Sequence, residues 1–223
     1  EQAIYVQIKE ILSSNENRIL FDDNFPKKSI ARRNTGYALD LLIDSKPFCD
    51  TEEKFNFCKL IAGSEGTLFF STAIKLNLVD ALKPLSALVC VHFDSINEAL
   101  KANLEALKFS PNSVELIDHY ILECTKENIE QSKNRFFVKG DPKAILAVEF
   151  LRDTQDEIDT LAKEMEALMR SKNLGYHFPI VYGEETTKVW NLRKAGLGLL
   201  SNIPGDAKAV AVIEDTAVDV NDL

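Results

Sequence analysis

The sequence lacks the features that would indicate a membrane span, a cysteine-ligated metal or a nucleic-acid partner. No apolar stretch approaches the ~20 residues that a membrane-spanning helix needs. The four cysteines, Cys49, Cys58, Cys90 and Cys124, contain no CxxC pair, so neither zinc nor an iron–sulfur cluster is indicated. The formal net charge of −9 disfavours binding to a phosphate backbone. We therefore expect no transmembrane segment and no nucleic-acid partner.

Histidines are few, and no secretory signal is visible. The three histidines, His92, His119 and His177, fall on separate predicted elements without the spacing of metal ligands, so we interpret all three as structural residues. No signal peptide is visible at the start, and the cysteine usage fits a reducing compartment. The sequence therefore predicts no metal site and a cytoplasmic protein, with peripheral attachment to an inner membrane as an alternative.

What is present is a soluble globular composition that divides near Pro84. Residues 1–83 are rich in turns, with a short helix predicted over Ile4–Leu12 and a strand over Ser71–Leu78, where apolar and polar residues alternate. Residues 84–223 are more regular. The chain is thus predicted to contain two domains, 1–83 and 84–223.

The second domain alternates strand and helix patterns. Strands are predicted for residues 87–93, 144–151, 177–182 and 207–213, and residues 114–122 fit either a strand or a short helix. Helices are predicted after Ser95 and Thr154, each followed three residues later by a glutamate as in a capping box, and over Glu185–Leu200. The expected fold is α+β, with a ferredoxin-like antiparallel sheet and helices on one face.

The most informative short motif is Gly63-Ser64-Glu65-Gly66-Thr67. Two glycines three residues apart allow a sharp turn and the close approach of a ligand to main-chain N–H groups. A tight turn before a strand is the simpler alternative, but apolar runs on both sides favour a ligand-binding turn.

Together with the run Arg-Arg-Asn-Thr-Gly-Tyr about thirty residues earlier, this motif resembles the flavin-binding lobe of the FAD-linked oxidases, which include glycolate oxidase subunits, D-lactate dehydrogenases and D-2-hydroxyglutarate dehydrogenases. The resemblance implies FAD as cofactor, a small 2-hydroxy acid of the D-lactate or glycolate type as substrate, and an electron acceptor such as an iron–sulfur domain or subunit. It predicts the following flavin-binding residues: Arg33, Asn34, Thr35, Gly36, Tyr37, Gly63, Ser64, Glu65, Gly66 and Thr67. Phe69 departs from the family pattern, which usually has a small residue there.

The resemblance extends into the second domain. Val114–Asp118, Val189–Lys194 and Val212–Val218 are similar to motifs of the same family, the last two to its iron–sulfur-containing branch. The chain lacks the family's glycine-rich pyrophosphate loop and its His-rich catalytic segment, so we expect a piece of a longer enzyme that is inactive alone. It should bind FAD weakly or not at all, and self-associate through its first 83 residues.

Arg193 is the predicted substrate ligand. In the helix from Glu185, Val189, Arg193 and Leu197 recur at i, i+4 and i+8, which places a guanidinium on an apolar stripe. One interpretation is a buried ion pair with Glu214 or Asp215. The resemblance favours a clamp on the substrate carboxylate.

Two other functions remain open at this point. One is a non-catalytic ferredoxin-like binding module. The other is a related flavoenzyme, such as an alkyl-glycerone-phosphate synthase, whose phosphate-bearing substrate would call for further cations near Arg193, where only Lys194 and Lys208 are candidates.

Overall fold

The computed structural model describes residues 2–30, 32–33, 36–201, 205–208, 210 and 216–223. The residues group into two compact units, Glu1–Leu78 with Asp215–Leu223, and Val79–Glu214. No described helix is long and apolar enough to cross a membrane.

The first unit is helical. Its helices are α1 (Gln2–Ser13), α2 (Asn15–Asn24), α3 (Leu39–Ile43) and α4 (Cys58–Ile61). Ser14 caps α2 by accepting a hydrogen bond from the backbone N–H of Asn17. A small core of Leu12, Leu42 and Leu60 is fully or almost fully buried, with partly buried aromatic side chains around it. The helix predicted over residues 4–12 is confirmed.

The strand predicted over Ser71–Leu78 is wrong: these residues have no regular secondary structure. A strand needs a hydrogen-bonded neighbour, and the described residues of the first unit contain only a single bridge, between Lys46 and Lys54.

The second unit is a mixed α+β structure around a four-stranded antiparallel sheet. Its elements in chain order are β1 (Leu85–Phe93), α5 (Ile96–Ala106), β2 (Ser113–Asp118), α6 (His119–Cys124), β3 (Ala144–Arg152), α7 (Gln155–Ser171), β4 (Ile180–Tyr182) and α8 (Glu185–Ser201). The strand order is β2-β3-β1-β4. Residues 114–122, which fitted a strand or a helix, contain most of β2 and the beginning of α6.

Both faces of this sheet are covered, so the expectation of helices on one face is wrong. Side chains alternate along β1: Val89 and Val91 face the core formed with α5 and α7, while Leu88 and Cys90 face a second core. That second core includes side chains of α6 and α8. A sheet buried on both faces explains why β1 and β3 read as nearly continuous apolar runs.

The predicted capping box is complete at the start of α7 and only partly formed at the start of α5. Thr154 and Glu157 form a complete capping box. Ser95 caps α5 by accepting from the N–H of Glu98, but the Glu98 carboxylate accepts from Asp94 and Gly175 instead of Ser95. The buried face of α5 consists of alanines: Ala99, Ala102 and Ala106.

The two remaining predicted strands differ in outcome. Of residues 177–182, only Ile180–Tyr182 form a strand, and His177 makes an isolated bridge with His92. Most of residues 207–213 lie outside the described residues.

Candidate flavin and substrate site

The two glycine-containing motifs of the first unit lie against each other. The Cα of Gly63 packs on the carbonyl oxygen of Gly36 so closely that a Cβ on Gly63 would lie 3.0 Å from it. Tyr37 Oη lies 2.8 Å from Thr67 Oγ1. Because the Thr67 hydroxyl already donates to the Ser64 carbonyl, Tyr37 is the donor in this pair. Residues thirty positions apart are therefore joined by backbone contact and a hydrogen bond.

The second motif folds as a tight turn at the end of α4. The buried Ser64 hydroxyl donates to the carbonyl of Ile61, and the N–H of Thr67 donates to the carbonyl of Ser64 at 3.0 Å. Between them, Glu65 and Gly66 both have positive φ, of 49° and 76°. Such a backbone explains why the sequence carries a glycine at position 66.

Two amide donors of this turn have no hydrogen-bond partner in the described part of the chain. Among the described residues, the N–H groups of Glu65 and Gly66 make no hydrogen bond. Both residues line a groove of about 650 Å³, whose other walls come from α4 and from residues 69–76. Successive free N–H groups in a turn form a concavity that binds anions or carbonyl oxygens.

Arg33, in the first motif, is held by the protein itself. Its guanidinium pairs with Asp40 and donates to the Pro26 carbonyl at 2.8 Å, with a side chain only 14% exposed. Its Nε is buried without a hydrogen-bond partner. This side chain therefore shapes the loop that carries the motif. Asn34 and Thr35 lie outside the described residues.

Arg193 is not on the apolar stripe of α8. The buried face of that helix consists of Thr186, Val189, Leu192 and Gly196, and the Arg193 side chain is 46% exposed. Its partner is Glu115 on β2: Nε and Nη2 lie 3.0 and 2.7 Å from the same carboxylate oxygen. The predicted partners, Glu214 and Asp215, lie outside the described residues.

Glu115 could not be found from sequence, because 78 residues separate it from Arg193. It shares a sheet face with Ile117 and lies opposite Ala147 of β3, next to Glu149 along that strand. The Glu149 carboxylate accepts hydrogen bonds from Asn112, Ser113 and Ser86, at 2.6, 3.1 and 3.3 Å. Two acidic side chains thus line this face of the sheet. Glu149 accepts hydrogen bonds from neutral side chains, and Glu115 pairs with Arg193.

Two of the histidines lie in different surroundings: His92 is held by the protein, and His119 lies beside two carboxylates. His92 is fully buried, accepts from the N–H of Lys139 at Nε2 and donates from Nδ1 to the carbonyl of Cys90. Burial lowers the pKa of His92 to about 4. His119, Glu123 and Asp141 place three ligand-type atoms within 4.8 Å of one another, but Lys126 pairs with both carboxylates. The Nδ1 atom of His119 is buried without a hydrogen-bond partner and lies 3.8 Å from Oε1 of Glu123.

Comparison with known proteins decides the family. A family model described as FAD linked oxidases, C-terminal domain, matches residues 83–223. The chain belongs to this family.

Individual relatives extend the similarity to nearly the whole chain. The chain is 30% identical to a D-2-hydroxyglutarate dehydrogenase of Pantoea ananatis over 98% of its length. It is 28% identical to one of Pseudomonas putida over 96%, and 30% identical to one of Escherichia coli over 91%. In each case it spans about a fifth of the relative's length (20–21%).

Proposed function

We propose that this chain supplies the second half of a flavin-binding lobe and a ferredoxin-like substrate domain to an FAD-dependent dehydrogenase that oxidises a 2-hydroxy acid to the 2-oxo acid. The observation that carries the proposal is the contact between the two motifs, in which Gly63 packs on Gly36 and Tyr37 bonds to Thr67. The strand order β2-β3-β1-β4, with a helix between β1 and β2 and another between β3 and β4, supports the ferredoxin-like assignment.

The residues of the turn fit a flavin cofactor. The unpartnered amides of Glu65 and Gly66 can donate to its oxygens, and the apolar walls of the groove can pack against its rings. Gly66 has open space where a Cβ would be, so the backbone is accessible to a ligand. When bound, FAD would accept a hydride from the substrate carbon. The contribution of this chain would be to bind and orient the cofactor.

Arg193 is the proposed substrate ligand. Its side chain is nearly half exposed, and its two contacts with Glu115 reach a single oxygen of that carboxylate. Within the described residues, its other N–H groups can therefore donate to another carboxylate. If a substrate carboxylate displaced the Glu115 carboxylate, the Arg193 guanidinium would still have an anionic partner. Among 2-hydroxy acids, we favour D-2-hydroxyglutarate over D-lactate and glycolate, because the relatives named above are D-2-hydroxyglutarate dehydrogenases.

The flavin content of the polypeptide that carries this chain tests the proposal. We expect flavin absorption bands in the purified protein and a marked loss of flavin in Gly63→Ala, because the added Cβ would push the two motifs apart. Gly198→Ala, where a Cβ meets nothing within 4 Å, is the matched control and should retain flavin. A wild-type protein without flavin, or a Gly63→Ala variant with full flavin content, would contradict the proposed cofactor site.

A further inference from the structure

Three side chains of metal-ligating type converge in the second unit, where β2 ends and β3 begins. His119 and Glu123 lie on α6, and Asp141 lies in the loop that precedes β3. One ligand atom from each of the three lies within 4.8 Å of the other two. His119 and Glu123 are four residues apart in the helix, which brings them to the same face. Asp141 is added by the fold, so the sequence alone did not indicate the cluster.

Hydrogen bonds of the backbone hold the two segments that carry this cluster. The N–H of His119 donates to the carbonyl of Lys143 at 3.1 Å, next to the last pair of the β2–β3 ladder. The N–H of Lys143 in turn donates to the carbonyl of Phe93 at 2.9 Å. At the other end of the loop, the N–H of Lys139 donates to Nε2 of His92 at 3.2 Å. The loop before β3 is thus attached to β1 at both ends, and the ligand atoms are positioned in advance.

The imidazole of His119 is placed as a metal ligand would be. Within the described residues, its Nδ1 atom is buried and has no hydrogen-bond partner, although buried polar atoms are normally paired. Oε1 of Glu123 is buried as well and lies 3.8 Å from this nitrogen, which is too far for a hydrogen bond. The separation is close to the ~3.4 Å expected between two ligands of a tetrahedral zinc ion with bonds of about 2.1 Å. A shared cation would therefore satisfy both atoms.

The ammonium group of Lys126 now balances the charge of the two carboxylates. It pairs with Glu123 and lies 3.4 Å from Oδ1 of Asp141. It leaves Nδ1 of His119 without a hydrogen bond, whereas a divalent ion can bind the nitrogen and both carboxylates at once. The Lys126 side chain is 43% exposed, so it can move into water when an ion enters.

We propose that His119, Glu123 and Asp141 bind Zn²⁺ in place of the Lys126 ammonium group. Imidazole nitrogen and carboxylate oxygen are both ligands of zinc, and three protein ligands leave a fourth position for water. Mg²⁺ would bind less well, because it prefers oxygen ligands in an octahedral arrangement. The ion would join α6 to the loop before β3 and so stabilise the second unit. The proposal does not depend on the flavin site, and it replaces the interpretation of His119 as a structural residue.

Titration of this chain with Zn²⁺ in a calorimeter, after alkylation of the exposed thiols, tests the proposal. We expect one ion per chain and a rise in the midpoint of thermal unfolding that Mg²⁺ does not produce. His119→Ala and the nearly isosteric Glu123→Gln should each weaken binding by about a hundredfold or more, since even a residue that only orients a ligand is worth about tenfold to a hundredfold. Lys126→Ala should strengthen binding by about tenfold, because it removes a competing positive charge.

Glu105→Gln is the matched control. The Glu105 carboxylate also pairs with two lysines, Lys108 and Lys172, so it resembles the proposed site without the histidine, and the variant should bind Zn²⁺ like the wild type. Circular dichroism of the metal-free variants checks that each is folded. The proposal would be overturned by a folded wild-type chain that binds no Zn²⁺, by binding that His119→Ala and Glu123→Gln both retain, or by weaker binding to Lys126→Ala.

Discussion

Replacing Arg193 separates a structural role from a substrate-binding role, and the structure predicts which should be found. A buried ion pair that loses one partner typically costs about 3–5 kcal/mol, because the other charge is stranded. Arg193 and Glu115 are 46% and 36% exposed, so water can solvate either partner alone. The pair should behave as a surface salt bridge, worth about 0.2–1 kcal/mol. Arg193→Ala should therefore lower the free energy of unfolding by about 1 kcal/mol or less.

Urea unfolding of the chain, followed by fluorescence, measures this directly. Trp190 is the only tryptophan and lies in α8, three residues from Arg193, so its emission reports on the second unit. Glu115→Ala and the double variant complete a cycle, whose coupling energy should be about 0.2–1 kcal/mol. A loss of about 3 kcal/mol or more on Arg193→Ala would refute the assignment of this pair to the surface.

The same substitution should affect turnover far more than stability. Loss of a charge-assisted hydrogen bond costs about 1.5–3 kcal/mol, which is about tenfold to a hundredfold in kcat/KM for the polypeptide that carries this chain. Arg193→Lys should recover little, because an ammonium group cannot reproduce the planar fork of a guanidinium. Unchanged kcat/KM in Arg193→Ala would refute the carboxylate clamp.

Three further predictions concern the second unit and the thiols. Burial lowers the pKa of His92 from 6.5 to about 4, so the unfolded chain binds the proton at a higher pH than the folded chain does. The free energy of unfolding should therefore fall by up to about 3 kcal/mol as the pH is lowered from 6.5 to 4. Urea titrations at pH 7.5 and 4.5 should show this loss, and His92→Gln should reduce it. In α8, Gly198→Ala should raise the free energy of unfolding by about 0.5–1 kcal/mol, whereas Gly196→Ala, whose Cβ would lie 2.9 Å from Ile121 Cδ1, should lower it; equal effects in thermal unfolding would refute the close packing of α8 on α6. The exposed thiols of Cys49 and Cys58 should react with a disulfide reagent in the native protein, while Cys90, whose pKa burial raises to about 12, should react only after unfolding, as absorbance counting of released thiolate will reveal.

The elements that sequence predicted best were those whose signals are local. β1 and β3 are continuous apolar runs, and the capping box of Thr154 and Glu157 begins α7 where expected. The features it missed depend on partners far along the chain. On α8, Val189 belongs both to the predicted stripe with Arg193 and to the observed one with Leu192. Packing against the second core of the sheet selects between these two faces.

The candidate site shows the same division. The resemblance pointed to both glycine motifs, and the structure brings Gly36, Tyr37, Gly63 and Thr67 together. It did not predict that Arg33 is occupied by Asp40, because an ion pair of this kind depends on how the intervening loop folds. Residues 71–78 alternate correctly for a strand and still form none, since alternation specifies the faces of a strand but cannot supply its neighbour.

The most direct test of the account is an anaerobic titration of the polypeptide that carries this chain, monitored by flavin absorbance. We expect the oxidised flavin bands to bleach on addition of D-2-hydroxyglutarate, with one equivalent of the 2-oxo acid formed per flavin reduced. Bleaching by D-lactate or glycolate instead would retain the reaction class and change the substrate. Bound flavin that none of these 2-hydroxy acids reduces would contradict the central claim.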